Sequence, residues 1–358
     1  MDVFDRIGAD GHEQVVFCQD RGSGLRAIVA VHSTRLGPAL GGTRFYPYTS
    51  EDAGLEDVLR LARAMTYKAA AAGLDLGGGK AVIFGDPAKD KSEPLLRAYA
   101  RYVDALGGRY ITAEDVGTTQ ADMDLVRRET RFVTGVSREL GGSGDPSAAT
   151  ADGVLWAMKA VALRLWGDTS LVGRHVALAG VGKVGSALLA HLVEERARVT
   201  VADVTPAAVE RAVSQTGAQA VGVEKIHAVD CDIYSPCALG GSLNADTIPD
   251  LRCAAVVGSA NNQLADESVA SLLADAEVLY APDFVANAGG LINIAQELAP
   301  GGYRPEPARA AVRRIFETVS TLLDAADQAG ISTAEVANRL AEQRIAAVSA
   351  GQQKRSVG

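Results

Sequence analysis

Cysteine is scarce: the 358 residues contain four, Cys18, Cys231, Cys237 and Cys253. None falls in a C-x-x-C pair or at His/Cys ligand spacing, so the chain has neither a disulfide framework nor a zinc centre of ordinary pattern, and no metal is expected. Their plain reading is as small buried hydrophobes in a reduced, cytoplasmic protein. Long apolar runs are missing too. The stretch HVALAGVGKVG is broken by glycine and lysine, well short of the ~20 residues that span a bilayer. The first residues, MDVFDRIGADGHEQ, carry acids early and no apolar stretch, unlike a secretory signal. Basic blocks are absent, and a net charge of −9 with a pI near 5.2 argues against nucleic-acid or membrane partners. A soluble protein handling small molecules is left.

With 47% hydrophobic and 22% charged residues, the chain has material for two ordinary domains. VVFCQD and LRAIVAVHS flank the turn Asp20–Gly24 and read as a hairpin. Glu51–Ala71 has Leu55, Val58, Leu59, Ala62 and Met65 near helical spacing and ends close to Gly73. A short strand, Ala81–Phe84, follows Gly77-Gly78-Gly79, and Ser92–Leu106 reads as a second helix. The Gly/Ser/Asp/Pro-rich stretch 141–147 marks the expected boundary, giving domains 1–145 and 146–330. Beyond it come a helix over Thr150–Trp166, then strand (His175–Ala179), glycine turn, helix (Gly185–Glu195) and strand (Arg198–Ala202), a βαβ unit. Apolar segments at 232–234, 254–257 and 278–281 extend a parallel sheet, and the helical tail from about 331 is expected to pack back on the first domain.

The turn Gly180-Val181-Gly182-Lys183-Val184-Gly185 fits G-x-G-x-x-G, with Asp203 closing the next strand 18 residues after the last glycine. In that setting the first glycine makes the turn, the second admits a pyrophosphate and the third lets helix pack on strand. Asp203 would bind ribose hydroxyls and repel a 2′-phosphate, which favours NAD over NADP. A ligand-free turn and a merely solvated Asp203 are the plain alternatives.

The first domain offers Lys68, then Gly77-Gly78-Gly79-Lys80, then Asp115 within TAEDVG. A P-loop is excluded, because Ala81 follows Lys80 where a hydroxyl is required. A desolvated Lys80 crowded by a second cation, Lys68, would be a base with a pKa lowered toward about 7–8. Lys68 could pair with a substrate carboxylate and Asp115 could exchange protons. The plain alternatives are a helix-end cation, a solvated loop lysine and a turn cap.

These strings, together with LGPALGGTRFYPY, MTYK, CDIYSPCALGG, GSANNQLA, YAPDFVANAGGLIN and AEQRIA, resemble the glutamate/leucine/phenylalanine/valine dehydrogenases over nearly the whole chain. The likeness is nearest to valine-acting members of actinobacterial type. The resemblance implies an α/β fold, with an N-terminal substrate domain, a Rossmann-type NAD domain and a cleft between them. It implies NAD-dependent, reversible oxidative deamination of L-valine and other branched-chain amino acids to the 2-oxo acid and ammonia. Lys68 would bind the substrate carboxylate, Lys80 would activate water, and Asp115 would move protons. Leu40, Gly41, Met65, Ala113, Leu291 and Ile294 would surround the side chain. Asn262, with Asn261, would lie near nicotinamide and substrate, and Thr150 would help hold the cofactor.

A homo-oligomer, dimer or octamer, is expected from the same likeness. Glu114, where some relatives are neutral, would raise the Asp115 pKa or pair with a cation. The competing readings are a phenylalanine dehydrogenase and, in another class, a non-catalytic NAD-binding sensor.

Overall fold

The computed structural model describes residues 3–266 and 268–355. These form two units. One holds the chain up to Asp145, Ile294–Pro305 and the segment from Ala341 on; the other holds Pro146–Asn293 and Glu306–Leu340.

In the first unit, helix α1 (Val3–Ala9) precedes strands β1 (Gln14–Asp20), β2 (Leu25–Ser33), β3 (Ala39–Tyr46), β4 (Gly77–Phe84) and β5 (Tyr110–Glu114). Their order is β1-β2-β4-β3-β5; β1, β2 and β4 run antiparallel, whereas β4, β3 and β5 are parallel. Alternate residues of the sheet face opposite helices, as period-two pleating requires. Ile28, Ala30 and Val82 meet Leu55, Val58, Leu59 and Ala62 of α2 (Glu51–Ala71), while Val29, Ala81 and Ile83 join the core of α3 (Glu93–Ala105) and α4 (Gln120–Arg127). Ser50 caps α2 by accepting from the Ala53 N–H, and Ser92 caps α3 by accepting from Leu95.

The expected hairpin and both helices are present. The strand expected at Ala81 instead begins at Gly77, so the three glycines and Lys80 are strand, not loop. The reason is steric. A Cβ on Gly77 would stand 1.8 Å from Ser33 O, one on Gly78 2.0 Å from the Thr66 N of α2, and one on Gly79 2.7 Å from the Tyr110 ring. Strands β3 and β5 went unread.

Two half-buried side chains tie the later segments to this unit. Glu297 accepts from Ser143 N (2.9 Å), Ser143 Oγ (2.6 Å) and Gly135 N (3.0 Å). Arg344 donates to Leu74 O (2.6 Å), Ala70 O (3.1 Å) and Asp75 Oδ1 (2.8 Å), closing the C-terminal end of α2. The return to the first unit therefore starts at Ala341, inside the helix Thr333–Arg355, and 294–305 belongs with it.

The second unit begins with α5 (Ser147–Trp166) and continues β6 (His175–Ala179), α6 (Lys183–Glu194), β7 (Arg198–Ala202), β8 (Gln219–Ala220), β9 (Ile233–Pro236), β10 (Ala255–Val256) and β11 (Leu279–Tyr280). All neighbours are parallel in the order β11-β10-β9-β6-β7-β8, the strand order of a Rossmann sheet. Helix α6 starts at Lys183, two residues before the expected Gly185. Among the described residues no helix is long and apolar enough to cross a membrane, and no cluster of three or more His, Cys, Asp or Glu could hold a metal ion.

Candidate active site

In the first unit the parallel register of β3 and β5 pairs Gly42 with Ala113 and Thr43 with Glu114. The next residues along, Arg44 and Asp115, therefore come together, with Arg44 Nη2 3.8 Å from Asp115 Oδ2. Lys80 reaches the same carboxylate oxygen from β4 and forms an ion pair with it. Lys80 is only 6% exposed, so it is no solvated loop lysine. The charged partner it has gained is an anion, Asp115.

Asp115 is held on both sides. Its Oδ1 accepts from Val116 N (2.7 Å), its own N–H donates to Thr118 Oγ1 (2.9 Å), and that hydroxyl donates to Thr43 O (2.8 Å). Burial raises the pKa of this carboxyl, and the Lys80 and Arg44 cations more than offset it, holding it below the usual carboxylate range. Arg44 is itself anchored: Nη1 lies 2.8 Å from Asp57 Oδ2, which also accepts from Tyr48 OH at 2.6 Å.

Glycines allow this convergence. A Cβ at Gly42 would stand 2.4 Å from Glu114 O and 2.9 Å from Asp115 Cβ, and one at Gly41 only 1.7 Å from Gly79 O. Beneath them a buried hydroxyl cluster braces β3 against β5. Thr43 Oγ1 lies 2.5 Å from Tyr99 OH and 2.6 Å from Thr112 Oγ1, and Tyr110 OH donates to Gly41 O at 2.7 Å. The close seating of Gly78 under Thr66 brings the last turn of α2, with half-buried Met65 and Lys68, onto β4. Leu40 and Ala113 are buried on β3 and β5. Ile294 is buried in the first unit, whereas Leu291 is buried in the second.

The second unit presents a different kind of site. Gly180 has φ +101, and the helix that follows is capped by Gly182 without a side chain, leaving its first N–H groups for an incoming anion. A Cβ at Gly182 would meet nothing within 4 Å, whereas one at Gly185 would stand 1.9 Å from Gly180 O. The turn is thus open at Gly182 and closed at Gly185, where helix packs on strand. Asp203 lies just past β7; its Oδ2 accepts from Val181 N and its Oδ1 from Thr205 N, each at 2.8 Å. Burial raises its pKa, but the hydrogen bonds from Thr205 and Val181 outweigh it and keep the carboxylate ionised.

Thr150, in the first turn of α5, donates to Pro146 O at 3.0 Å and is touched so closely by Gly290 that a Cβ there would lie 2.5 Å from Oγ1. Asn261 and Asn262 follow β10 with exposed side chains, Asn262 at φ +52. The buried Asn287 donates to Asn261 Oδ1 at 2.9 Å and orients it. Arg44 and Asn287 were not singled out in the sequence, although both lie inside quoted strings. The only signal for Arg44 is a cation two residues beyond a Gly-Gly in a strand.

A Rossmann-ordered sheet with an open glycine cradle, in a chain that elsewhere buries a lysine–aspartate pair, defines a dinucleotide-dependent oxidoreductase. The comparisons make this more specific. The family model described as "Glu/Leu/Phe/Val dehydrogenase, dimerisation domain" matches residues 12–132, and "Glutamate/Leucine/Phenylalanine/Valine dehydrogenase" matches residues 202–352. The chain belongs to this family and is an amino-acid dehydrogenase; the family uses NAD(P). It is 54% identical over 338 residues to the valine dehydrogenase of Streptomyces virginiae, covering 94% of each chain. It is 51% identical over 348 residues to the leucine dehydrogenase of Bacillus cereus, covering 97% of this chain and 94% of that one. Among solved structures, the L-tryptophan dehydrogenase from Nostoc punctiforme superposes with a TM-score of 0.84 at 42% identity, covering 97% of this chain and 99% of that one.

Proposed function

We propose that the chain oxidatively deaminates L-valine and other branched-chain amino acids with NAD, reversibly, releasing the 2-oxo acid, ammonia and NADH. The observation that carries this reading is the buried Lys80–Asp115 ion pair with Arg44 behind it. In this reading Lys68 binds the substrate carboxylate, and Leu40, Gly41, Met65, Ala113 and Ile294 line the side-chain pocket. Those pocket positions are uncharged, which supports an apolar substrate. Lys80 activates the water that attacks the imine carbon, with Asp115 fixed beside it by the ion pair. Asp115 also exchanges a proton with the substrate nitrogen. Bound NAD supplies the hydride acceptor.

Gly180, Val181, Gly182, Lys183, Val184 and Gly185 would hold the pyrophosphate and Asp203 the adenosine ribose. NAD is preferred to NADP because an ionised Asp203 repels a 2′-phosphate. Thr150, Asn261 and Asn262 are assigned to the cofactor. A homo-oligomer, dimer or octamer, and a cytoplasmic setting complete the reading; light scattering tests the first.

Leucine as preferred substrate is the second reading, favoured by the 51% identity to a leucine dehydrogenase. A methylene in an apolar pocket discriminates by only about 1–3 kcal/mol, so substrates must be compared directly. The test is NADH formation with valine, leucine, isoleucine, phenylalanine, tryptophan and glutamate, each with NAD and with NADP. Highest kcat/KM for valine with NAD is expected. A preference for glutamate or an aromatic substrate would overturn the substrate assignment. NAD binding with no turnover of any amino acid would leave a cofactor sensor.

A further inference from the structure

Two cysteines in the second unit take no part in the chemistry above. Cys231 lies two residues before β9, and Cys253 two residues before β10. These strands are parallel neighbours with Ile233 opposite Ala255, so stepping back two residues along each sets Cys231 beside Cys253. Backbone hydrogen bonds hold the two segments together there: Cys231 N–H donates to Arg252 O and Ala254 N–H to Asp232 O, each at 3.1 Å. Paired strands run about 4.8 Å apart, within the roughly 4.4–6.8 Å Cα separation that a disulfide spans. Both residues are free and half-buried.

The two sulfurs are unequal. The neighbouring Cys231 thiol lowers the Cys253 pKa despite burial, and backbone N–H groups add to the effect; Cys253, with burial, raises that of Cys231. Burial alone pushes the Cys18 thiol up to about 11, and burial also raises Cys237. A more acidic thiol next to a less acidic one is the arrangement of an attacking and a resolving cysteine.

We propose that Cys253 and Cys231 form a reversible oxidation site, closed to an intramolecular disulfide by a hydroperoxide. The Cys253 sulfur attacks a peroxide oxygen, the O–O bond breaks, and a sulfenic acid forms as hydroxide leaves and is protonated. The Cys231 sulfur then attacks the sulfenic sulfur, the S–O bond breaks and water departs. In sum, two thiols and hydrogen peroxide become one disulfide and two waters; a dithiol reverses the change by exchange. The pair sits at the N-terminal ends of β9 and β10, whereas Gly180 follows the C-terminal end of β6. The oxidation site and the cofactor turn therefore occupy opposite ends of one parallel sheet.

The test is to treat the full-length protein with hydrogen peroxide, alkylate it under denaturing conditions and analyse its peptides by mass spectrometry. Expected is one linked pair containing Cys231 and Cys253, abolished by dithiothreitol, with Cys18 and Cys237 alkylated as before. In Cys231→Ser, Cys253 should accumulate as sulfenic acid, trapped by dimedone. The proposal fails if Cys231 and Cys253 both stay alkylatable in the wild type. It fails equally if the link joins other cysteines or separate chains, or if dimedone labels Cys18 or Cys237 ahead of Cys253.

Discussion

The two sheets carry their chemistry in opposite ways. In the second unit the candidate cofactor contacts come from six consecutive residues, Gly180–Gly185, and one carboxylate at the end of the next strand. In the first unit they are side chains delivered by β3, β4, the end of β5 and α2. Backbone recognition compresses into a contiguous motif because the turn geometry is local. Side-chain chemistry does not, because charges meet only when strands pair. The same contrast governs the glycines: Gly182 leaves room for a ligand, whereas Gly41, Gly42 and Gly77–Gly79 leave room for the protein itself.

Removing a side chain from the first unit should therefore stop chemistry without loosening the cofactor. Lys80→Ala is expected to lower kcat by about 10²–10⁴, the usual weight of a general acid–base group, with NAD affinity unchanged by fluorescence titration. Parallel loss of both would break the separation of roles.

In the second unit, Asp203→Ala should change cofactor choice and leave the amino-acid KM alone. A lost charge-assisted hydrogen bond of about 1.5–3 kcal/mol shifts the NAD/NADP ratio of kcat/KM roughly 10- to 100-fold. An unchanged ratio would mean that Asp203 only holds its own loop through Val181 and Thr205.

The two glycines of the turn separate cradle from packing. Gly182→Ala should keep the melting temperature and weaken NAD roughly tenfold, a loss of about 1.4 kcal/mol. Gly185→Ala must move the Gly180 carbonyl and should cost about 1–3 kcal/mol of stability, visible as a lower melting temperature before any ligand is added.

The smallest effect is a pH shift. The Lys80 and Arg44 cations hold Asp115 below the usual carboxylate range, so Arg44→Met should raise its pKa. The acid limb of the kcat/KM profile would then move to higher pH, with turnover at the plateau largely kept. An unmoved limb would assign that limb to another group.

Much of this fold was legible. Helix α2 appeared with its stated ends because its apolar residues repeat at helical spacing behind a serine cap. The βαβ unit appeared because apolar strands bracket a glycine turn. Strand β3 hid behind Gly41-Gly42, residues that disfavour strands until a neighbour demands their lack of a Cβ. Arg44 hid for a longer-range reason. It stands 71 residues from Asp115, and only the register Thr43 to Glu114 makes them partners.

The sequence by itself determined most of the elements, the glycine turn and the residue types available for proton transfer, because caps, periodicity and turns act over a few residues. Tertiary structure alone decided that Lys80 would face a carboxylate, that Arg44 would stand behind it, and that Arg344 would close the end of α2. Each of these contacts needs elements distant along the chain to be brought within a few ångströms, and that is the work of strand pairing and of helix packing on glycine.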